Sequence, residues 1–534
     1  MGWKSDLEAR RQHYYDRGVY KGRTLADEMR AGAVAHPDAR MVFHSETHPA
    51  EATLPELQAR SHALAGALHA LGLRPGDVVA VQVPNWLEGA LAFQAAMALG
   101  VVVVPIIHIY GPAEVGFILR QSRARALICP DRWRHIDYLA RVERLDRSEL
   151  PDLEHVVVIG EAPAEALSWR ELEARASSSF ELPPVASDDV CLLVYTSGTT
   201  SDPKGVQHTH ETLLAEVRDM GLRGGAGPPR SLGAFPAGHI AGVLGFMRLY
   251  LHGGTSVLMD TWNANDAAML VERHGLKTTA GTPFHLTGLL DAAEEAGRDI
   301  STLAGYMVGA ANVPPSVVAR SEAAGVPSYR AYGSSEHPTL TSGHPDHPLE
   351  KRSGTDGALS AHNEIRIVDD DGKALPPGEA GEIASRGPEL FVGYRDPSLN
   401  EEAFLPGGWF LTGDIGVVDG DGYLTITDRK KDVIIRGGEN IASKEVEDVL
   451  ARHPAVSEAA VVGAADEHLG ERVCAFVILR EDAQLELPEV LAHFEREGLA
   501  RQKAPERLVE VLELPRTPSG KVKKFELRER LRSL

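Results

Sequence analysis

Through the first half of this chain, apolar runs alternate with amphipathic helical segments, and few folds accommodate that pattern. Thr53-Leu54-Pro55-Glu56 has the form of a capping box, in which a hydroxyl and a carboxylate three residues apart satisfy backbone donors that a first helical turn leaves open. Leu57, Leu64, Leu68 and Leu71 then recur on one helical face, and Gly72 ends the helix. Asp77 leads into the unbroken apolar run Val78 to Val83, which reads as a strand buried on both faces. A second helix from about Leu87 to Leu99 and the β-branched run Val101 to Val104 repeat the unit. Strands buried on both faces need helices to cover them, so the expected class is α/β, with a large N-terminal domain of parallel-rich sheets.

From about Glu364 the pattern changes. EIRIVDDDGKAL, GEIASRG and GYLTITDRKKDVIIRGG are short alternating strands broken by Asp-Gly and Gly-Gly turns, as in antiparallel sheets. The last hundred residues read as a small α+β unit. It has a helix from Ser443 to about Arg452, strands Ala459–Val462 and Val473–Leu479, a helix over about Leu487–Gly498, and a polar tail. The charge cluster Asp428–Lys431 marks the boundary, giving domains 1–428 and 429–534. At roughly 150 residues per domain, 534 residues leave room for three or four units. The Gly/Pro patch Gly224–Pro229 reads as a surface loop.

Charge and cysteine usage exclude several classes. With 76 acidic against 55 basic side chains, the net charge of −21 opposes a nucleic-acid or anionic-membrane partner, though not a local basic pocket for a nucleotide. The longest apolar stretch, Ala98 to Ile107, is half the roughly 20 residues a transmembrane helix needs and contains a proline, so no integral membrane association is expected. The charged start MGWKSDLEARRQHYYDRG is not a secretory signal. Cys129, Cys191 and Cys474 lie far apart with no metal-ligand spacing, which suits a soluble protein of the reducing cytoplasm.

The strongest chemical signal is Tyr195-Thr-Ser-Gly-Thr-Thr-Ser-Asp-Pro-Lys-Gly205, which follows the apolar run Val190–Val194. A strand thus feeds a loop of hydroxyls, glycines and one lysine, groups that donate to phosphate oxygens. Pro203 and Lys204 stand where a Walker motif requires Gly-Lys and then Ser or Thr, so an ordinary P-loop NTPase is disfavoured. Four further segments follow: Tyr332-Gly-Ser-Ser-Glu336, Gly408-Trp-Phe-Leu-Thr-Gly-Asp414, Asp428-Arg-Lys-Lys-Asp-Val-Ile-Ile-Arg-Gly-Gly-Glu-Asn440 and Pro515-Arg-Thr-Pro-Ser-Gly-Lys521. Each alone could be a turn or a solvated charge run.

With these five segments in order, nearly the whole chain resembles the acyl-adenylate-forming superfamily, in its acyl-CoA synthetase branch of AMP-forming carboxylic acid–CoA ligases. The resemblance implies a barrel-like β subdomain, a mobile small C-terminal domain, and ATP, Mg²⁺ and coenzyme A as cofactors. Thr196, Ser197, Gly198, Thr199, Thr200 and Lys204 would hold the β- and γ-phosphates. Tyr332 and Gly333 would lie against the adenine, with Gly309-Ala310-Ala311 as a turn passing the adenine and the carboxylate pocket. Ser334, Ser335 and Glu336 would reach the phosphates, with Glu336 as the Mg²⁺ ligand, since Mg²⁺ favours hard oxygen donors. Asp414 would accept from the ribose hydroxyls, and Arg429 would contact ribose or phosphate. Lys521, otherwise a lysine in a Lys-rich tail, would bridge the α-phosphate and the substrate carboxylate. Lys431 matches the hinge, and Gly437 and Gly438 the loop brought to the pantetheine tunnel. His239 matches a position lining the acyl and CoA approach, and Phe235, Val243 and Phe284 would wall the acyl group. Three positions depart from the common pattern: Ser201 and Ala310 stand where glycine is common, and Ser335 stands where threonine is.

The substrate would be a small-molecule carboxylic acid, most like those of the medium-chain, alicyclic or steroid-derived acid ligases, and a homodimer is compatible with the resemblance. The rivals are an acyl-AMP ligase serving a carrier protein, an aryl-CoA ligase, a peptide-synthetase adenylation domain, a luciferase, and a silent nucleotide-binding regulator. Small positions Gly238, Ala241, Gly242 and Gly245 would leave space for the acyl group between Phe235, Ile240, Val243 and Phe284.

Overall fold

The structure is a computed structural model that describes residues 2–196, 203–222, 228–436, 439–466, 469–497, 499, 501–517 and 520–533. Two large sheets carry the first 360 or so residues. One has seven strands, in which Val102–Pro105, Val78–Val81, Ala126–Pro130 and His155–Ile159 run parallel. At one edge Val190–Tyr195 joins it in parallel and turns back antiparallel as Gly205–Thr209, so the phosphate-loop segment is the connection of a hairpin. The other sheet has nine strands. Its centre, from Ser328–Tyr332 through Gly305–Val308, Thr278–Gly281, Arg230–Gly233 and Thr255–Met259 to Arg40–His44, is entirely parallel.

The expected grammar holds in detail. Thr53 caps Leu54–Ala70 in a complete capping box with Glu56, and Gly72 leaves the helix at φ 95°. Helix Leu87–Leu99 is buried on every side except at Glu88, as a helix wedged into a core must be. Its side chains belong to the largest hydrophobic cluster, which runs continuously from Leu25 to Leu258.

A five-stranded antiparallel sheet follows, of Glu364–Val368, Gly381–Arg386, Phe404–Leu405, Trp409–Val418 and Leu424–Arg429. It stands where a barrel-like subdomain is expected, but its strand path is open. The ion pair Arg330–Asp356 ties it to the nine-stranded sheet: Arg330 is 3% exposed and donates to Asp356 Oδ1 at 2.6 Å, while Asp356 Oδ2 accepts from Ile426 N at 2.8 Å.

The small C-terminal unit has strands Ile434–Arg436, Glu439–Ile441, Val456–Asp466, Gly470–Leu479 and Arg507–Glu510, and helices Ser443–Leu450 and Leu487–Arg496. The tail expected to be merely polar forms helix Lys524–Ser533. Only Leu527 and Leu531 of that charged segment face inward, onto Ala460, Val462, Cys474 and Phe476, and two leucines four apart are a faint signal. Among the described residues no helix is long and apolar enough to cross a membrane.

Candidate active site

Four adjacent parallel strands of the nine-stranded sheet end at one edge, and three of them release segments singled out from the sequence. Arg230–Gly233 leads to Phe235–His239, Thr278–Gly281 to Thr282, Gly305–Val308 to Gly309-Ala310-Ala311, and Ser328–Tyr332 to Gly333–Glu336. Loops at the carboxyl ends of parallel strands are where open α/β sheets bind ligands. Glycine is required by close approach here: a Cβ on Gly333 would lie 1.9 Å from Pro338 O, and one on Gly309 would lie 2.7 Å from Ala331 O. Ala310 adopts φ 60°, the left-handed region that favours glycine, which explains why a glycine is common there.

The antiparallel sheet supplies the opposite wall. Asp414 and Arg429 are register partners on neighbouring strands, and their side chains approach to 3.3 Å. Tyr332 donates its hydroxyl to Asp414 Oδ2 at 2.6 Å, and burial together with that carboxylate keeps the phenol protonated. Glu336 accepts at Oε1 from the Tyr394 hydroxyl at 2.8 Å, and its backbone C=O accepts from Phe391 N at 2.8 Å. The Lys204 ammonium rests 5.1 Å from the centroid of the same Tyr394 ring. Below the loop, His208 Nε2 donates to Ser335 O at 2.8 Å, and Ser334 Oγ accepts from His337 N at 3.1 Å.

The small domain closes the site from above. A tight turn presents Lys521, whose N–H donates to Thr517 Oγ1 at 3.1 Å while its C=O accepts from Thr517 N at 2.7 Å. Gly520 at φ 85° lies over the strand ends, where a Cβ would stand 3.6 Å from Thr282 Oγ1. Enclosure and the nearby Arg429 guanidinium hold the Lys521 ammonium down to about 8, against the opposing pull of Asp414 and Glu336. Lys431 is lowered as well, by burial and by Arg429.

On the acyl side, burial, the Lys521 charge and His108 push His239 down to about 4, so the imidazole is neutral at physiological pH. Its Nε2 is enclosed and has no hydrogen-bond partner among the described residues. Phe235 and Trp262 flank His285, with ring centroids 6.2 and 4.7 Å away. Two of the expected wall residues differ in exposure. Val243 is sealed in the main core at 0% exposure, and Phe284 stands 62% exposed, because the next residue, His285, takes the inward position on helix Pro283–Ala296. Gly238 and Gly242 do not open acyl space either. A Cβ on Gly238 would meet the Ile107 backbone at 2.5 Å, and one on Gly242 would meet Pro236 O at 2.1 Å, so their smallness serves chain packing.

Ser197, Gly198, Thr199, Thr200, Ser201, Gly437 and Gly438 lie outside the described residues. Sequence reasoning passed over Tyr394, His285 and Asn85, although Asn85 pins the turn before His239 by donating to Phe235 O and accepting from Ala237 N. Only the Gly-Tyr pair after the antiparallel strands hinted at Tyr394; nothing local marks the other two. Among the described residues no three metal-ligating side chains cluster. A lone carboxylate, Glu336, with Oε2 making no hydrogen bond among those residues, still suits Mg²⁺, which keeps waters and shares phosphate oxygens.

A family model described as AMP-binding enzyme matches residues 29–395, and one described as AMP-binding enzyme C-terminal domain matches residues 445–521. The chain is 36% identical over 532 residues to the medium-chain fatty-acid–CoA ligase of Escherichia coli (strain K12), covering 98% of this chain and 93% of that one. It is 32% identical over 545 residues to the 2-hydroxy-7-methoxy-5-methyl-1-naphthoate–CoA ligase of Streptomyces carzinostaticus, covering 98% and 96%. The crystal structure of an anthranilate CoA ligase in complex with anthranoyl-AMP matches with a TM-score of 0.87 at 27% identity, covering 96% of this chain and 98% of that one.

Proposed function

Since the chain belongs to the AMP-binding enzyme family, we propose that it joins a carboxylic acid to coenzyme A through an acyl adenylate, acting on apolar medium-chain, alicyclic or steroid-derived acids. It is an AMP-forming acid–thiol ligase. The observation that carries the reading is Lys521, held by the small domain over the strand ends among Asp414, Arg429 and Glu336.

The chemistry asks for that arrangement. An anionic carboxylate oxygen attacks an α-phosphorus that itself bears anionic oxygens; the new C–O–P bond forms as the bond to pyrophosphate breaks. Catalysis is then mainly in-line positioning and charge neutralisation. Lys521 offsets charge between the two reactants, Asp414 accepts from the ribose hydroxyls, and Lys204 with the Thr196 loop meets the departing pyrophosphate. Mg²⁺, held by Glu336, would neutralise phosphate charge. The CoA thiol then attacks the acyl carbon and AMP leaves. We take residues 1–428 and 429–534 as the two moving units and Lys431 as the pivot that withdraws Lys521 between the steps.

Neutral His239, Phe235 and Ile240 support an apolar acid, and the group offers an ammonium no carboxylate. The aromatic set Phe235, Trp262 and His285 also supports a second reading, an aryl-CoA ligase. The test is kcat/KM across acetate, butyrate, hexanoate, octanoate, cyclohexanecarboxylate, benzoate and phenylalanine, with pyrophosphate release followed with and without CoA. Each buried methylene is worth about 0.8 kcal/mol, roughly fourfold in kcat/KM, so values should climb from acetate to octanoate. A maximum at benzoate selects the aryl reading, one at acetate or phenylalanine defeats both, and indifference to CoA would leave an acyl-AMP ligase.

A further inference from the structure

Segment Phe391–Arg395 closes around two parts of the site that are far apart in sequence. Its backbone is stitched to the strand leaving the phosphate loop: Val392 N donates to Gln207 O at 2.9 Å, Gln207 N to Gly393 O at 3.2 Å, and Arg395 N to Gly205 O at 2.7 Å. At its other end Phe391 N donates to Glu336 O. Tyr394 is 5% exposed, and its ring packs on Phe391 at 4.9 Å within a small cluster with Val206, Leu390 and Phe410. Asn400 Oδ1 accepts from Tyr394 N at 2.8 Å, so the residue is fixed at backbone and ring alike. From that position its hydroxyl reaches Glu336 Oε1 and its ring face carries the Lys204 ammonium.

We propose that Tyr394 is a positioning residue that presents Glu336 to a divalent cation through a single oxygen and holds Lys204 at rest beside it. The inference rests on the adenylating reading of the site. With Oε1 accepting the phenol O–H, Oε2 makes no hydrogen bond among the described residues and would be the oxygen that meets the cation. One oxygen per carboxylate suits the small octahedral Mg²⁺, whereas Ca²⁺ tolerates two. Hydrogen-bond partners of metal-ligating groups are worth about 10–100-fold in metal affinity.

The experiment uses Tyr394→Phe, which removes one hydroxyl and keeps the ring under Lys204. ATP binding is measured by calorimetry at a series of Mg²⁺ concentrations, and again with Ca²⁺. Conversion of supplied acyl-AMP and CoA to thioester, a step that handles no pyrophosphate, reports whether the variant is folded and competent. The expected result is a rise of about 10–100-fold in the Mg²⁺ needed for half-maximal ATP binding, a narrower preference for Mg²⁺ over Ca²⁺, and an unchanged thioester step. In a Glu336→Gln background the same substitution should add little. An unchanged Mg²⁺ dependence overturns the proposal, as does equal damage to the thioester step, which would make Tyr394 merely structural. Wild-type protein that binds MgATP but releases no pyrophosphate with any acid would overturn the ligase reading instead, and the binding comparison would still decide the role of Tyr394.

Discussion

An ammonium enclosed beside a guanidinium titrates early, and Lys521 is held in that condition. Adenylation needs the charged form, so the sign follows. For the pyrophosphate-releasing half-reaction, kcat/KM should be level below about pH 8 and fall about tenfold per unit above it. Lys521→Ala should lose about 10²–10³ in that half-reaction together with the alkaline limb, while thioester formation from supplied acyl-AMP persists. Stopped-flow pyrophosphate release and a thioester assay across pH separate the two; equal loss in both steps would make Lys521 structural. At this scale the candidate reactive side chains are legible along the chain, because Lys521, Asp414, Arg429 and Glu336 sit in motifs whose residue types the proposed chemistry requires. The sequence was misleading about Gly238 and Gly242, whose smallness is set by backbone neighbours distant in sequence.

Elements hold these residues in place, and the Arg330–Asp356 pair shows how. Arg330 lies two residues before Tyr332 on the same strand, and Asp356 also accepts from Ile426 on the antiparallel sheet, three residues before Arg429. One carboxylate therefore links the two walls of the candidate nucleotide site. Asp356→Ala would leave a guanidinium buried with two of its donors unpaired, and should destabilise the large domain by about 3–5 kcal/mol. Replacing both partners, as Arg330→Met with Asp356→Leu, should cost less, since no charge is then stranded. Denaturant titration followed by Trp fluorescence measures both, and a single variant no worse than the double would contradict the account. Helix and strand existence was readable from period and caps, as in Leu54–Ala70 and Leu87–Leu99. Helix Lys524–Ser533 was not, because its two inward leucines carry little signal until the strands they cover are known.

For the molecule as a whole, the two half-reactions make opposite demands on one site, since Lys521 must be present for the first and the thiol must enter for the second. Lys431→Pro would fix φ near about −65° and should leave adenylation intact while lowering thioester formation by about an order of magnitude or more, as expected when a gating motion limits turnover. Single-turnover measurements of each half-reaction check this, and an unaffected thioester step would move the pivot away from Lys431. The sequence by itself determined the fold class and the reaction class, and it named the motif residues proposed to meet the nucleotide, because hydrophobic period and reactive side-chain type are local properties written along the chain. Only the tertiary structure decided that Val243 is sealed in the core, that Tyr394 joins Lys204 to Glu336, and that enclosure and Arg429 lower the Lys521 ammonium. Direction, burial and electrostatic surroundings depend on neighbours brought together from hundreds of residues away, and no local pattern encodes them.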